Sequence, residues 1–152
     1  MPRPTSTPTP RATPTPAAVT IPIGRSIDVQ MYDSVIRWEV ISLTDPYTRE
    51  QPWRSAHRYI VLYVRATNIG NQTERLFCAD TCTRVVLSDG EASNGIRLGL
   101  DRPFEETIDK FGGFDLLPGR SVEGEICYSI PREAQVLGFR PNWIRGTPAL
   151  LW

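Results

Sequence analysis

The only imidazole in the chain belongs to His57, the side chain best suited to general acid–base chemistry. A catalytic role would require a nucleophile within hydrogen-bond reach of that ring. Ser55 is two residues away in the sequence, which is an unusual spacing for a nucleophile and its base. We therefore expect His57 to be a surface or loop-packing residue, and we expect the protein not to be an enzyme.

Metal binding is the second chemistry that the residue types suggest. Asp101, Glu105 and Asp109 would share one face of a helix over residues 101–110, and their carboxylates would suit a hard cation. A solvated acidic face is the simpler interpretation. A zinc site normally needs four ligands, and His57 is remote in sequence from the three cysteines. The sequence therefore predicts no metal and no cofactor.

The three cysteines are Cys78, Cys82 and Cys127, and an odd number favours one disulfide with one free thiol. Cys78 and Cys82 enclose three residues, so a bridge between them would need a tight turn that brings the two sulfur atoms into range. A Cys82–Cys127 bridge is the competing pairing. The pair Cys78 and Cys82 is our candidate disulfide.

Exposed aromatic rings are the most promising binding groups in the sequence. Tyr47 and Trp53 lie in a segment, residues 44–57, that has two prolines and no regular hydrophobic period. Such a segment predicts a long exposed connection, where a ring could stack on a sugar or anchor a partner protein. The alternative is that both rings fold back over the edge of the domain. We take Tyr47 and Trp53 as candidate binding residues.

The elements that must position these residues are predicted to be β-strands, because apolar residues alternate with polar ones between turn signals. The segment 59–66 is apolar on both faces in its first half, which is typical of a central strand covered on each side. Residues 101–110 are the one predicted helix, with Asp101 as its N-cap. The remaining predicted strands are residues 23–31, 36–40, 83–87, 122–130 and 136–139.

About seven short strands with almost no helix predict an all-β fold, an immunoglobulin-like antiparallel β-sandwich. A small barrel is the alternative. Asn68 and Gly70 are expected to take positive φ angles where the central strand turns. The C-terminal residues Leu150-Leu151-Trp152 are expected either to cover a sheet edge or to be a disordered stub.

Two regions of different composition divide the chain. Residues 1–20 contain six prolines and six threonines, so we expect a disordered Pro/Thr-rich linker of polyproline II character. Residues 21–152 form the predicted sandwich domain. Linkers of this composition commonly join an anchor to an exported domain, so we expect a signal or anchor upstream of this sequence.

Charge argues against nucleic-acid binding, and hydropathy argues against a membrane-spanning segment. Seventeen basic and seventeen acidic residues cancel, so no net field attracts nucleic acid. No segment approaches the roughly 20 apolar residues of a membrane-spanning helix, so no transmembrane segment is expected in this chain.

Three segments together resemble a family of bacterial exported immunoglobulin-like domains related to the immunoprotective extracellular protein fold. They are Asn68-Ile69-Gly70, the turn Leu87-Ser88-Asp89-Gly90, and the Leu117-Pro118-Gly119 entry to a strand that ends at Ile130-Pro131. The resemblance covers roughly residues 21–140 and implies an anchored, exported domain. It carries over no catalytic residue. The three cysteines, the 44–57 connection and the C-terminal tail depart from the family pattern.

These observations predict a non-enzymatic interaction module, extracellular or exposed at the cell envelope and presented on a stalk. The expected partner is an unknown protein or an envelope glycan. The alternative is a carbohydrate-binding module that uses Tyr47 and Trp53.

Overall fold

A computed structural model describes residues 1–12, 17–76, 83–93, 100–104, 114–141 and 146–152. Within these ranges the chain forms ten β-strands and no α-helix, which confirms the predicted all-β class. The strands are β1 (Thr20–Gln30), β2 (Val35–Tyr47), β3 (His57–Asn68), β4 (Glu74–Leu76), β5 (Thr83–Leu87), β6 (Gly90–Ser93), β7 (Phe114–Leu116), β8 (Ser121–Pro131), β9 (Val136–Pro141) and β10 (Leu150–Leu151).

Two antiparallel sheets pack face to face. The first has the strand order β1-β2-β3-β8, the second has the order β10-β9-β5-β6, and β4 and β7 form a separate short pair. Trp38 on β2 lies with its ring centroid 6.0 Å from that of Phe139 on β9, so the two sheets share one core. The chain is therefore a β-sandwich, and its immunoglobulin-like subtype stays a prediction.

Strand β3 occupies the centre of the first sheet, as its apolar sequence predicts. It pairs with β2 on one side and with β8 on the other. Its inward residues Ile60, Leu62 and Val64 are 0% exposed, and its outward residues Tyr59 and Val61 are 1% and 5% exposed. Both faces of β3 are thus covered, which explains why apolar residues are not restricted to alternate positions.

Glycine residues determine the geometry of two turns. In the turn Leu117-Pro118-Gly119-Arg120, the Arg120 amide donates to the Leu117 carbonyl oxygen at 3.0 Å, and Gly119 has a φ of 76°. Proline at the second position and a positive φ at the third define a type II turn. The turn between β5 and β6 also closes at a glycine, Gly90, whose φ is 146°.

The end of β3 is a hydrogen-bonded junction rather than a left-handed turn. Asn68 is fully buried on the strand, and its side-chain oxygen accepts hydrogen bonds from the Ser34 hydroxyl at 2.7 Å and the Gly70 amide at 3.0 Å. Gly70 does not have a positive φ, so that prediction is wrong. A Cβ atom at Gly70 would lie 2.0 Å from Ser34 Oγ, so glycine is needed there for close approach.

The connection between β2 and β3 is shorter than predicted. Strand β2 continues through Tyr47, which pairs with Tyr59, and β3 begins at His57, so only residues 48–56 connect the two strands. Irregular register between Thr44 and Tyr47 accommodates Pro46. Proline has no amide proton to donate to the ladder, so within sheets it is found at such irregularities or at edges.

Residues 101–103 are not helical, which corrects the prediction that a helix begins at Asp101. Pro103 forms a parallel bridge with Glu125, and the Glu125 amide donates to the Arg102 carbonyl oxygen at 2.7 Å. This segment therefore covers the outer edge of β8, and Phe104 enters the core, where its ring centroid lies 5.9 Å from that of Trp38. Residues 105–110 of the predicted helix lie outside the described residues.

The two ends of the chain differ. Residues 1–12 are exposed and have no regular secondary structure, and β1 begins at Thr20. At the other end, β10 pairs with β9, so the C-terminal residues cover a sheet edge, as one of the two predicted alternatives has it. Across the described ranges, no helix has the length and apolar character needed to span a membrane.

Candidate functional site

A cleft of about 410 Å³ lies on the outer face of the first sheet, and we call it the outer cleft. Its volume falls within the range of roughly 300–1,000 Å³ that small-molecule sites occupy. Strand residues form its floor, and its walls are formed by residues just before β1, by the last residue of β2 and those just after it, and by the segment at the edge of β8. The lining residues include Thr44, Tyr47, Arg49, Tyr63, Asp101 and Glu125.

Strand register brings the floor residues together. Thr44 on β2 lies opposite Val61 on β3, and Tyr63 on β3 lies opposite Glu125 on β8. Side chains at alternate positions of a strand point to the same face, so these residues all project away from the sandwich core. The floor is therefore built on three hydrogen-bonded strands.

Tyr47, a candidate from the sequence, lies in the wall of the outer cleft. Its ring packs against a small apolar cluster on the outer face that includes Tyr59, Val61 and Cys127. Its hydroxyl is buried and has no hydrogen-bond partner within the described structure. Burial raises the pKa of the Tyr47 hydroxyl. Because the hydroxyl is covered, the accessible part of Tyr47 is its ring.

Trp53, the second candidate, is 92% exposed and does not line the outer cleft. It lies in the connection between β2 and β3, where its backbone amide donates to the Tyr59 hydroxyl at 3.3 Å. The structure therefore does not bring the side chains of Tyr47 and Trp53 into one pocket. The second aromatic residue that lines the cleft is Tyr63 on β3, which was not among the candidate binding residues.

The charged residues of the outer cleft have different environments. Arg49 and Asp101 form an ion pair at 2.8 Å, and this hydrogen bond lowers the pKa of the Asp101 carboxyl. Glu125 is half-buried, and burial raises the pKa of its carboxyl, with the nearby charge of Asp101 as the next largest cause. Glu125 forms no ion pair with any other residue that the structure describes.

His57 contacts a serine, although it is not Ser55. The Nδ1 atom of His57 lies 2.9 Å from the Oγ atom of Ser129 on β8. His57 shares the outward face of β3 with Tyr59, and Ser129 shares the outward face of β8 with Cys127. Strand alternation could have placed each residue on this face, but the pairing depends on the β3–β8 register.

The cysteine predictions have separate outcomes. Cys78 and Cys82, the candidate disulfide, lie outside the described residues. Cys127 is a free, buried thiol, so the competing Cys82–Cys127 bridge is not present. Burial raises the pKa of the Cys127 thiol to about 12.

We expect Cys127 not to react with Ellman's reagent at pH 8 in the folded protein, because only the thiolate is nucleophilic and a thiol with this pKa is protonated. The measurement uses the variant Cys78→Ser/Cys82→Ser, in which Cys127 is the remaining thiol. Full labelling in urea is the control. Rapid labelling of the folded variant would show that Cys127 is accessible.

The acidic residues proposed for a cation do not form a described site. Asp101 pairs with Arg49, while Glu105 and Asp109 lie outside the described residues. Among the residues that the structure describes, no group of three or more histidine, cysteine, aspartate or glutamate side chains is arranged to hold a metal ion.

Fold and cleft together define the class of the protein: a β-sandwich with a small-molecule-sized cleft on the outer face of one sheet. Comparisons with family models, curated proteins and solved structures find no match. The resemblance to bacterial exported domains therefore stays a prediction.

We expect Tyr47→Phe to leave the fold intact and to raise its free energy of unfolding by about 1 kcal/mol, because a buried hydroxyl without a hydrogen-bond partner carries a desolvation cost. Urea denaturation measures this change. Tyr63→Phe is the comparison, since the Tyr63 hydroxyl donates to Glu123 at 2.7 Å and its removal should not be stabilising. A loss of more than about 1 kcal/mol in Tyr47→Phe would show that the hydroxyl is bonded.

Proposed function

We propose that this chain is a non-enzymatic binding module, displayed on an extended leader outside the cell or at the cell envelope, and that its ligand occupies the outer cleft. The observation that carries the proposal is a cleft of about 410 Å³ on the outward face of a sheet whose central strand is buried on both sides. The outward face of an antiparallel sheet is commonly solvated and polar, without a cleft of this size.

The rigidity of the floor supports a binding role. Thr44, Val61, Tyr63 and Glu125 are on strands whose backbones are paired with one another. Sites built on strands hold side chains more accurately than sites built on loops. The outer cleft therefore needs little rearrangement to accept a ligand.

The Pro/Thr-rich linker of residues 1–20, which we call the leader, supports display of the domain at a distance from its expected anchor. Residues 1–20 hold six prolines and six threonines, and residues 1–12 are exposed along their length. An extended segment of this kind spans about 3.1 Å per residue. Ala18 and Thr20, where the leader meets β1, line the outer cleft, so the leader joins the domain beside the proposed site.

Carbohydrate binding is the second candidate function, and the aromatic residues of the cleft favour it. Tyr47 and Tyr63 both line the cleft together with the hydroxyl-bearing residues Ser42 and Thr44. Aromatic rings pack on the apolar faces of sugars while hydroxyl groups exchange hydrogen bonds with them. Trp53 would be a separate contact, because it lies outside the cleft.

A pair of threonine variants tests the proposed site. Thr44→Arg on β2 places a long side chain in the outer cleft, whereas Thr67→Arg on β3 places the same side chain on the same face of the sheet but outside the cleft. A panel of soluble glycans, amines and short peptides is screened by thermal shift against the wild-type protein and both variants. We expect a ligand that stabilises the wild type and Thr67→Arg, is not turned over, and does not stabilise Thr44→Arg.

Equal stabilisation of both arginine variants would place the ligand outside the cleft and contradict the proposed site. Conversion of the ligand to a product would contradict the non-enzymatic role. Trp53→Ala tests the carbohydrate alternative, because a glycan that also contacts the exposed indole should bind this variant more weakly than the wild type.

A further inference from the structure

The charges that line the outer cleft do not balance. Asp101 and Glu125 are the two carboxylates of the lining, and Arg49 is its one guanidinium. Arg49 is already engaged by Asp101 at 2.8 Å, and both side chains are largely exposed at the rim. Glu125 is left as a half-buried carboxylate without an ion-pair partner among the described residues. Among the lining residues, carboxylates therefore exceed guanidinium groups by one, and the unpaired carboxylate is Glu125. Arg102 is not a lining residue, but its backbone hydrogen bond and its charge favour the ionised form of Glu125.

Aromatic side chains lie in the same cleft as this carboxylate. The accessible part of Tyr47 is its ring, because its hydroxyl is buried. Tyr63 lies directly opposite Glu125 in the strand register, and its hydroxyl is engaged with Glu123 at 2.7 Å. A ring face attracts a cation through its quadrupole, and a neighbouring carboxylate adds a direct charge interaction.

From this combination we infer that the outer cleft binds its ligand through an alkylammonium group, which lies beside the Glu125 carboxylate and against the rings of Tyr47 and Tyr63. The inference rests on the proposed binding function and names the chemical class of the ligand. A free diamine and a lysine side chain share this chemistry, and the cleft volume suits either.

The affinity of the cleft for an ammonium group is expected to depend on pH, because Glu125 must be ionised to bind it. Burial and the charge of Asp101 raise the pKa of Glu125, while Arg49 and Arg102 oppose that rise. A bound ammonium group favours the ionised carboxylate, so affinity should increase as pH rises through the Glu125 pKa and then stay level until the amine itself loses its proton. The pKa of the Tyr63 hydroxyl, on the cross-strand neighbour, is raised by its hydrogen bond to Glu123.

The test measures binding of 1,4-diaminobutane, the amide of Nα-acetyl-lysine, and the neutral analogue 1,4-butanediol by calorimetry at pH 7. The two amines are expected to bind and the diol is not. Preference for the lysine amide or for the diamine distinguishes a side chain of a partner from a free polyamine. Glu125→Gln keeps the shape of the side chain and removes its charge, and it is expected to weaken amine binding about tenfold.

Glu39→Gln is the matched control, because Glu39 faces outward on β2 and pairs with Arg65 without lining the cleft. It should leave amine binding unchanged. Amines that fail to bind, a diol that binds equally well, or an unchanged affinity in Glu125→Gln would each overturn the ammonium inference. In those cases, a glycan or peptide whose binding is lost in Thr44→Arg would still support the proposed function. If no ligand depends on Thr44, both proposals fail.

Discussion

Replacing Asn68 by alanine is expected to lower the free energy of unfolding by about 4 kcal/mol. The side chain is 0% exposed. Its oxygen accepts hydrogen bonds from the Ser34 hydroxyl and the Gly70 amide, and its nitrogen donates to the Gln72 and Leu116 carbonyl oxygens at 2.7 and 2.8 Å. Alanine would leave polar groups of four other residues without these partners, several of them in the interior.

Urea denaturation of Asn68→Ala measures the loss, and Asn71→Ala is the matched control. Asn71 is exposed in the same connection, so its replacement should change stability by less than about 0.5 kcal/mol. Asn68→Asp keeps two acceptors and removes the two donated bonds, so it should also be strongly destabilising. A loss below about 1 kcal/mol in Asn68→Ala would show that the junction tolerates its removal.

The second large effect is expected for Leu62→Ala, which should lower the free energy of unfolding by about 3 kcal/mol. Leu62 is 0% exposed on β3, between Leu43 of β2 and Ile126 of β8. Truncation removes apolar contacts and leaves a cavity that the paired strands on either side cannot close, since both are held in register with β3.

Leu117→Ala is the control for this substitution, because Leu117 is 54% exposed in the turn before β8. The same chemical change there should cost less than about 0.5 kcal/mol. Similar losses in the two variants would contradict the assignment of β3 as the central strand.

The strands and much of the core could be predicted because their signals are local. The continuous apolar character of residues 59–66 indicates a strand covered on both faces, and the structure confirms it. The glycines at Gly90 and Gly119 likewise mark turns whose geometry depends on neighbouring residues alone. Strand alternation also places Tyr63 and Glu125 each on a definite face, but it does not distinguish the inner face from the outer one.

The outer cleft could not be predicted because its parts meet only through long-range register. A register shift in β2 between Val40 and Ser42 sets which of its residues lie opposite Val61 and Tyr63, and no local pattern marks that shift. Asp101 reaches the cleft because its segment runs along β8, whereas the local sequence there indicates a helix cap. Asn68 was interpreted as a turn residue for the same reason: Ser34 and Leu116 are distant along the chain.

The segment that covers the edge of β8 joins two environments within four residues. Asp101 faces the outer cleft, whereas Phe104 lies in the core beside the indole of Trp38. We expect a ligand that displaces Asp101 to shift Phe104 and so to alter the surroundings of a fully buried tryptophan on the opposite side of the sheet. The chain has four tryptophans, so in a variant that keeps Trp38 alone the fluorescence spectrum would be a built-in optical reporter of cleft occupancy.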